Sequence, residues 1–314
     1  MRITVTRKLP APVEATLAAH HDARLNAADR LLSEAEMIAA CRGAEVLVPT
    51  VTDQIGASLI AALPASVRLI ANFGVGVDHI DLAAARSRGI PVTNTPDVLT
   101  DDTADLAMAL ILAAARRLGE GERILRAGHW TGWTPTFLVG TRVTGKRLGI
   151  IGMGRIGAAL ARRAAGFGME IHYHNRRAVP GAQARYWPDL DAMLRQTDVL
   201  SIHCPRTPET VGLMSAARLA LLPKHAVVVN TARGGIVDEA ALAAVLASGK
   251  IAAAGLDVYA GEPKVNPALL KLENVVLAPH LGSATDLGRI AMGERVIANI
   301  DAFAAGKPLP DLVK

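Results

Sequence analysis

The chain of 314 residues is too long for one small core and suits two domains of ordinary size. With 51% hydrophobic residues it can bury a large interior, which excludes an intrinsically disordered chain. The formal charge of +5 comes from scattered basic residues, and aromatic residues make up only 3%. Without a basic run or a reader motif, the excess argues against nucleic acid as a partner and suits small anions.

Met1-Arg2-Ile3-Thr4-Val5-Thr6 alternates apolar and polar residues, predicting a strand over Ile3–Thr6 in place of a secretory leader. A helix is expected over Pro12–Ala27. Glu45–Pro49 and Val67–Ala71 are apolar runs bounded by turn residues, as in buried parallel strands, and Pro91–Thr95 reads as one more. Helices over Ser33–Cys41, Gln54–Ala62 and Leu82–Arg88 would connect them. The run ending at Ala71 opens into Asn72-Phe-Gly74-Val75-Gly76-Val77-Asp78-His79. Two glycines around Val75 let successive N–H groups converge on an anion, although the same residues fit a plain strand-to-helix turn.

Pro96-Asp97 punctuates the chain, and a long helix is expected from Thr100 or Asp101 as N-cap to about Leu118. Its apolar run, Leu106–Ala115, is too short to cross a bilayer, so no membrane partner is expected. The Gly- and Trp-containing segment that follows, with Trp130 and Trp133, has too little periodicity for an element of its own and is expected to lie against another surface. Cys41 and Cys204 stand in no metal-type spacing; free thiols, no metal and a reducing cytoplasm are expected.

Leu148–Ile151 then leads into Gly152-x-Gly154-x-x-Gly157, an Ala/Arg-rich helical pattern ending at Gly166 and Gly168, and a second strand over Glu170–His174. In this strand–turn–helix–strand setting the glycines form a dinucleotide fingerprint. Gly152 makes the tight turn, Gly154 admits the pyrophosphate, and Gly157 brings helix and strand together, with Arg155 and Ile156 opening the helix. An NAD site places an acid at the end of the second strand to bind the ribose 2′-OH. Here stand Asn175, Arg176 and Arg177. Two guanidiniums suit a 2′-phosphate, so NADP(H) is expected in preference to NAD(H); an ordinary solvated turn is the alternative.

Four strand-to-loop units follow: Asp198–Ile202 into His203-Cys204-Pro205, Ala226–Asn230 into Thr231-Ala232-Arg233, Ile251–Leu256 into Asp257, and Asn274–Ala278 into Pro279-His280. With helices such as Glu239–Ser248 between them, they predict a doubly wound parallel sheet. A last helix, about 286–305, would return to the first domain. The expected fold is therefore α/β, with two Rossmann-like or flavodoxin-like domains. Residues 1–97 plus 285–314 form a discontinuous substrate domain into which a cofactor domain, 98–284, is inserted. Ligands of such sheets bind beyond the carboxyl ends of the strands, where Arg233, Glu262 and His280 supply an anion clamp, a carboxylate and a titratable acid/base.

The order of these motifs resembles the D-isomer-specific 2-hydroxyacid dehydrogenase family. The matching pieces are Gly74–Asp78, Leu148–Gly157, Asn230-Thr-Ala-Arg233-Gly, Ala254-Gly-Leu-Asp257-Val, Glu262-Pro263 and Ala278-Pro-His280-Leu-Gly-Ser283. The basic turn is most similar to its NADPH-preferring glyoxylate/hydroxypyruvate reductase branch. The resemblance implies that His280 protonates the carbonyl oxygen of a short 2-oxo acid as hydride arrives, while Glu262 orients its ring. It implies that Arg233 binds the substrate carboxylate and carbonyl, and that the N–H groups of Val75 and Gly76 hold the carboxylate. It also implies that Asp257 orients the nicotinamide and that Thr103, Cys204, Thr231, Ala232 and Ser283 line the cofactor. A homodimer with 119–145 as its arm belongs to the same expectation.

Two departures from the family pattern are Val77, where many relatives carry an aromatic residue, and Arg206 after Cys204-Pro205. Phosphoglycerate, D-lactate and phosphonate dehydrogenases of the same family are alternatives, as is a dinucleotide-sensing corepressor-like protein.

Overall fold

A computed structural model describes residues 1–314 throughout. In chain order, its first part comprises β1 (Arg2–Val5), α1 (Ala11–His20), β2 (Asp22–Arg24), α2 (Glu34–Ala40), β3 (Val46–Val48), α3 (Ala57–Ala62), β4 (Leu69–Ala71), α4 (Leu82–Ser87) and β5 (Val92–Thr93). There follow α5 (Thr100–Ala115), α6 (Leu118–Arg126), β6 (Arg147–Ile151), α7 (Arg155–Gly166), β7 (Glu170–His174), β8 (Arg185–Tyr186) and α8 (Leu190–Leu194). The chain ends through β9 (Val199–Ile202), α9 (Ala216–Leu219), β10 (Val227–Asn230), α10 (Glu239–Ala247), β11 (Ala253–Leu256), α11 (Pro267–Leu270), β12 (Val275–Leu277) and α12 (Asp286–Ala304). No helix is long and apolar enough to cross a membrane.

The chain divides into two compact units, Met1–Leu99 with Ala284–Lys314, and Thr100–Ser283. The divisions differ slightly from the 97/98 and 284/285 expected, since Val98 and Leu99 pack against the core of the first unit. That unit has a parallel sheet in the order β2-β1-β3-β4-β5, the flavodoxin-like doubly wound arrangement. The returning helix α12 completes its core. Met292, Val296 and Ile300 join Ile3, Val5, Val13 and Leu17, and a Cβ at Gly293 would come within 2.2 Å of the Val13 side chain.

The second unit has seven strands in the order β12-β11-β10-β9-β6-β7-β8, all parallel. Counted from β6 as the first, this is the Rossmann order extended by one strand, and its direction reverses between β6 and β9. One face is covered by α5 and α7, whose Ala107, Ile111, Ala159 and Leu160 are buried with Leu148 and Ile150. The other carries Leu219, Leu242 and Leu246 from α9 and α10. At the foot of the sheet, Asp198 accepts from Arg147 N (2.8 Å), Nε (3.0 Å) and Nη2 (3.1 Å), and pairs with His225.

Several boundaries correct the sequence expectations. The helix expected over Pro12–Ala27 stops at His20, because Asp22–Arg24 extend and pair with β1 as an edge strand; sheet pairing overrides the helical propensity of the alanines. The helix expected to run to Leu118 ends at Ala115, and Arg117 takes a left-handed φ of 54° that separates α5 from α6. The segment read as irregular thus opens with a helix. It buries no residue, leaving Leu118 and Leu125 exposed, and Gly119 and Gly121 near its start weaken its helical signal; ion pairs of Arg117 with Glu120 and Arg126 with Glu122 support it. The short strand β8 was not anticipated.

Candidate active site

The site of the second unit starts at the turn after β6, where the sheet order reverses. Gly152 has φ 98°, and a Cβ there would lie 2.6 Å from Cys204 N. A Cβ at Gly157 would meet the Gly152 carbonyl at 2.3 Å. Both positions exclude a side chain because two backbones touch. Gly154 differs: nothing lies within 4 Å of where its Cβ would be. It caps α7 without a side-chain hydrogen bond, and the first turn of α7 holds no acid. The free N–H groups and positive end of this helix face open space that suits a phosphate.

Asn175, in place of the expected acid, accepts a hydrogen bond from Met153 N (2.7 Å) through Oδ1, and its carbonyl accepts from Tyr186 Oη (3.2 Å). It braces the glycine turn, while Arg176 and Arg177 are exposed beside it. At the end of β9, burial pulls the His203 imidazole down to about 4 and pushes the Cys204 thiol up to about 11. Both groups are therefore uncharged at neutral pH. His203 Nε2 bonds to Ser201 Oγ at 2.8 Å.

The ends of β10, β11 and β12 carry the ionisable groups. After β10, Asn230 shapes the turn, accepting from Ala232 N (3.0 Å) and donating to the Arg233 carbonyl (2.9 Å). Arg233 Nη1 donates to the Ala232 carbonyl at 2.8 Å. The next residue, Gly234, passes so close to Tyr259 that a Cβ would lie 1.9 Å from its carbonyl carbon. This approach brings the Arg233 turn against the loop that holds Glu262.

Asp257, fully buried after β11, accepts from Leu281 N (2.6 Å) and Gly282 N (2.9 Å), and its carbonyl accepts from His280 N (2.9 Å). Burial pushes its carboxyl above the usual range against these hydrogen bonds. Thr103 Oγ1 on α5 donates to the Gly282 carbonyl at 2.8 Å. The loop after β12, which includes Ser283, is thus pinned from two sides. His280 takes a left-handed φ of 56°, a conformation that costs about 1 kcal/mol for a residue with a Cβ.

His280 Nδ1 meets Glu262 Oε2 at 2.7 Å, and the second carboxylate oxygen accepts from Tyr259 N at 2.9 Å. Burial raises the Glu262 carboxyl, but the hydrogen bonds from His280 and Tyr259 N and the charges of His280 and Arg233 outweigh it, leaving the group below the usual range. As a carboxylate it accepts only, so His280 Nδ1 carries the hydrogen and Nε2 is the nitrogen available for proton exchange. Among the expected site residues, Arg233, Glu262 and His280 therefore occupy adjacent strand ends. Val75 and Gly76 lie in the other unit, in the loop after β4.

Residues 108–282 match the family described as D-isomer specific 2-hydroxyacid dehydrogenase, NAD binding domain. The glyoxylate reductase of Thermococcus litoralis is 47% identical over 279 residues, covering 87% of this chain and 84% of its own. The chain belongs to the D-isomer-specific 2-hydroxyacid dehydrogenase family. A glycerate dehydrogenase of Hyphomicrobium methylovorum is 38% identical over 310 residues, covering 97% of this chain and 96% of its own. Among solved structures, the NADPH-dependent glyoxylate/hydroxypyruvate reductase of Sinorhizobium meliloti in complex with NADP and malonate superposes with a TM-score of 0.90 at 38% identity, over 99% of this chain and 96% of that one.

As a member of this dehydrogenase family, the chain is an oxidoreductase with a dinucleotide-binding domain, and its residues fit that group. Gly154 leaves room at a helix N-terminus, and Thr231 Oγ1 is buried without a hydrogen-bond partner beside the strand ends. Tyr259 escaped the sequence reading: its N–H positions Glu262, and its hydroxyl bonds the carbonyls of Leu256 and Ala278. The only sequence signal for it was its place between Asp257 and Glu262.

Proposed function

We propose that this dehydrogenase reduces short 2-oxo acids, glyoxylate and hydroxypyruvate, to 2-hydroxy acids of the D series with NADPH. The observation that carries the reading is the 2.7 Å Glu262–His280 pair, with Arg233 on the adjoining strand end. The relatives named as glyoxylate reductases support the substrate class. Glycerate is the reduction product of hydroxypyruvate, so the glycerate dehydrogenase relative fits the same chemistry run in reverse.

In this reading, Gly152, Gly154, Gly157, Arg155 and Ile156 hold the pyrophosphate. Arg176 and Arg177 pair with the 2′-phosphate, and Asn175 keeps the turn in shape while placing no negative charge there. Thr103, Cys204, Thr231, Ala232 and Ser283 line the cofactor, with Thr103 acting through its bond to Gly282, and Asp257 orients the carboxamide. The bound nicotinamide supplies the hydride for the carbonyl carbon. Arg233 binds the substrate carboxylate and draws charge onto the carbonyl oxygen, and the N–H groups of Val75 and Gly76 bind the same carboxylate. His280 Nε2 donates its proton to the oxygen as negative charge develops, and Glu262 holds the ring and stabilises its charged form.

The protein acts as a cytoplasmic homodimer in this proposal, with residues 119–145 as the arm. Trp130 and Trp133, 53% and 80% exposed, present the apolar surface such an arm buries.

Following NADPH and NADH oxidation at saturating glyoxylate, hydroxypyruvate, pyruvate and phosphohydroxypyruvate tests the reading. The expected result is turnover of the first two, with kcat/KM for NADPH at least about ten times that for NADH, a difference of about 1.4 kcal/mol. Equal or better use of NADH would refute the cofactor assignment, and no turnover of any 2-oxo acid would refute the activity.

A further inference from the structure

The N–H groups of Val75 and Gly76 sit in the loop after β4, and neither donates to a protein acceptor. All the carbonyls around them are held by side chains or backbone behind the loop. Asn72, wholly buried, donates through Nδ2 to Gly74 O and Gly76 O, both at 3.0 Å. Thr95 N donates to Gly74 O at 3.0 Å, and Asn94 Nδ2 donates to Val75 O at 2.8 Å. The Asn72 amide is itself oriented, since its Oδ1 faces His79 Nε2 at 3.0 Å. Reversing that amide would set its oxygen against two carbonyl oxygens, so His79 is the donor here.

A trans peptide is planar, with its C=O and N–H pointing in opposite directions. Drawing the Gly74 carbonyl back onto Asn72 therefore aims the Val75 N–H away from the core. Drawing the Val75 carbonyl onto Asn94 fixes the Gly76 N–H in the same way. We propose that Asn72, oriented by His79, and Asn94 are positioning residues that preset the Val75 and Gly76 N–H groups for the substrate carboxylate. The inference rests on the 2-oxo acid reading above and adds what makes the loop rigid before substrate arrives. Without these bonds each peptide plane can rotate, and two aligned donors must be ordered at the moment of binding.

The roles separate kinetically. These residues hold backbone atoms of their own loop and take no part in proton or hydride transfer in the proposed reaction, so their loss weakens carboxylate binding in ground and transition states alike. For Asn94→Ala and Asn72→Leu, KM for glyoxylate is expected to rise at least about tenfold, with kcat within about threefold and NADPH affinity, read by fluorescence titration, unchanged. Asn94→Gln, which restores the amide on a longer arm, is expected to recover part of the Asn94→Ala defect. Asn72 is buried, so Asn72→Leu counts only if its thermal unfolding and NADPH binding match wild type; the more exposed Asn94 carries the test by itself if it does not. A KM for Asn94→Ala within twofold of wild type, in a wild type that turns over glyoxylate, overturns the positioning role and leaves the proposed function standing. A wild type that reduces no 2-oxo acid overturns both.

Discussion

The roles of single residues follow from what each can donate or accept. His280 holds one ring nitrogen on Glu262 at 2.7 Å and, in the proposed reaction, offers the other to the substrate. His280→Ala is expected to lower kcat at least about a hundredfold, the scale of a positioned proton donor, while leaving NADPH affinity unchanged. Stopped-flow single turnovers of glyoxylate with bound NADPH check this, and near-normal turnover removes His280 from the mechanism. Gly157→Ala sets a methyl group 2.3 Å from the Gly152 carbonyl, so the glycine turn must open. Its NADPH dissociation constant is expected to rise at least about tenfold, or about 1.4 kcal/mol, measured by titration of a folded variant. At this scale the positions were legible because the proposed chemistry restricts them: Arg233, Glu262, His280 and the glycines stand at strand ends, where it would admit few other residues. Asn175, Asn72 and Tyr259 were not legible in the same way. Each acts through hydrogen bonds to backbone atoms, Asn72 within its own loop and Asn175 and Tyr259 partly across to other segments, and neither asparagine nor tyrosine announces such a partner.

Elements became legible to the degree that they are buried. Strands β6, β9 and β10 are buried on both faces, and their sequences are predominantly apolar runs. Helix α6 is amphipathic but carries Gly119 and Gly121 near its start, which weaken its helical signal, and β8 is two residues at a sheet edge, too short to leave a pattern. The tail of the expected first helix was misread because its alternative partner, β1, is a tertiary contact. One buried polar contact ties three strands together: Asp198 joins the start of β9 to Arg147 on β6 and to His225 before β10. Burial works against its ionisation, but the hydrogen bonds from Arg147 and His225 hold its carboxyl well below the usual range. A depressed folded-state value means that its stabilisation is fully present above the unfolded value, near 4, and is lost as pH falls below it. Asp198→Asn is therefore expected to be less stable than wild type by about 2 kcal/mol at pH 7, with the gap closing between pH 4 and lower values. Urea unfolding across that range checks it, and a gap independent of pH contradicts the assignment.

Over the whole molecule, each unit has its own interior. The two core clusters of the second unit draw only on residues within Thr100–Ser283, whereas the main core of the first takes Met292, Val296 and Ile300 from the far end of the chain. A fragment of residues 100–283 is expected to fold and bind NADPH, with cooperative thermal unfolding raised by the cofactor. A fragment of residues 1–99 is expected to lack such a transition, because the sheet face covered by α12 is exposed. Size-exclusion chromatography with light scattering tests the dimer: wild type is expected at twice the chain mass, and paired substitution of Trp130 and Trp133 by Ser is expected to shift it toward the monomer. The 2.8 Å bond from Thr103 to Gly282 has a consequence for how such a molecule can be recombined. It joins the first turn of the inserted unit to its last residues, so both splice points fall at one place on its surface. The unit is a cassette: one excision and one graft can exchange it for that of a relative with a different dinucleotide, while the interrupted host keeps both halves of its own sheet-and-helix core.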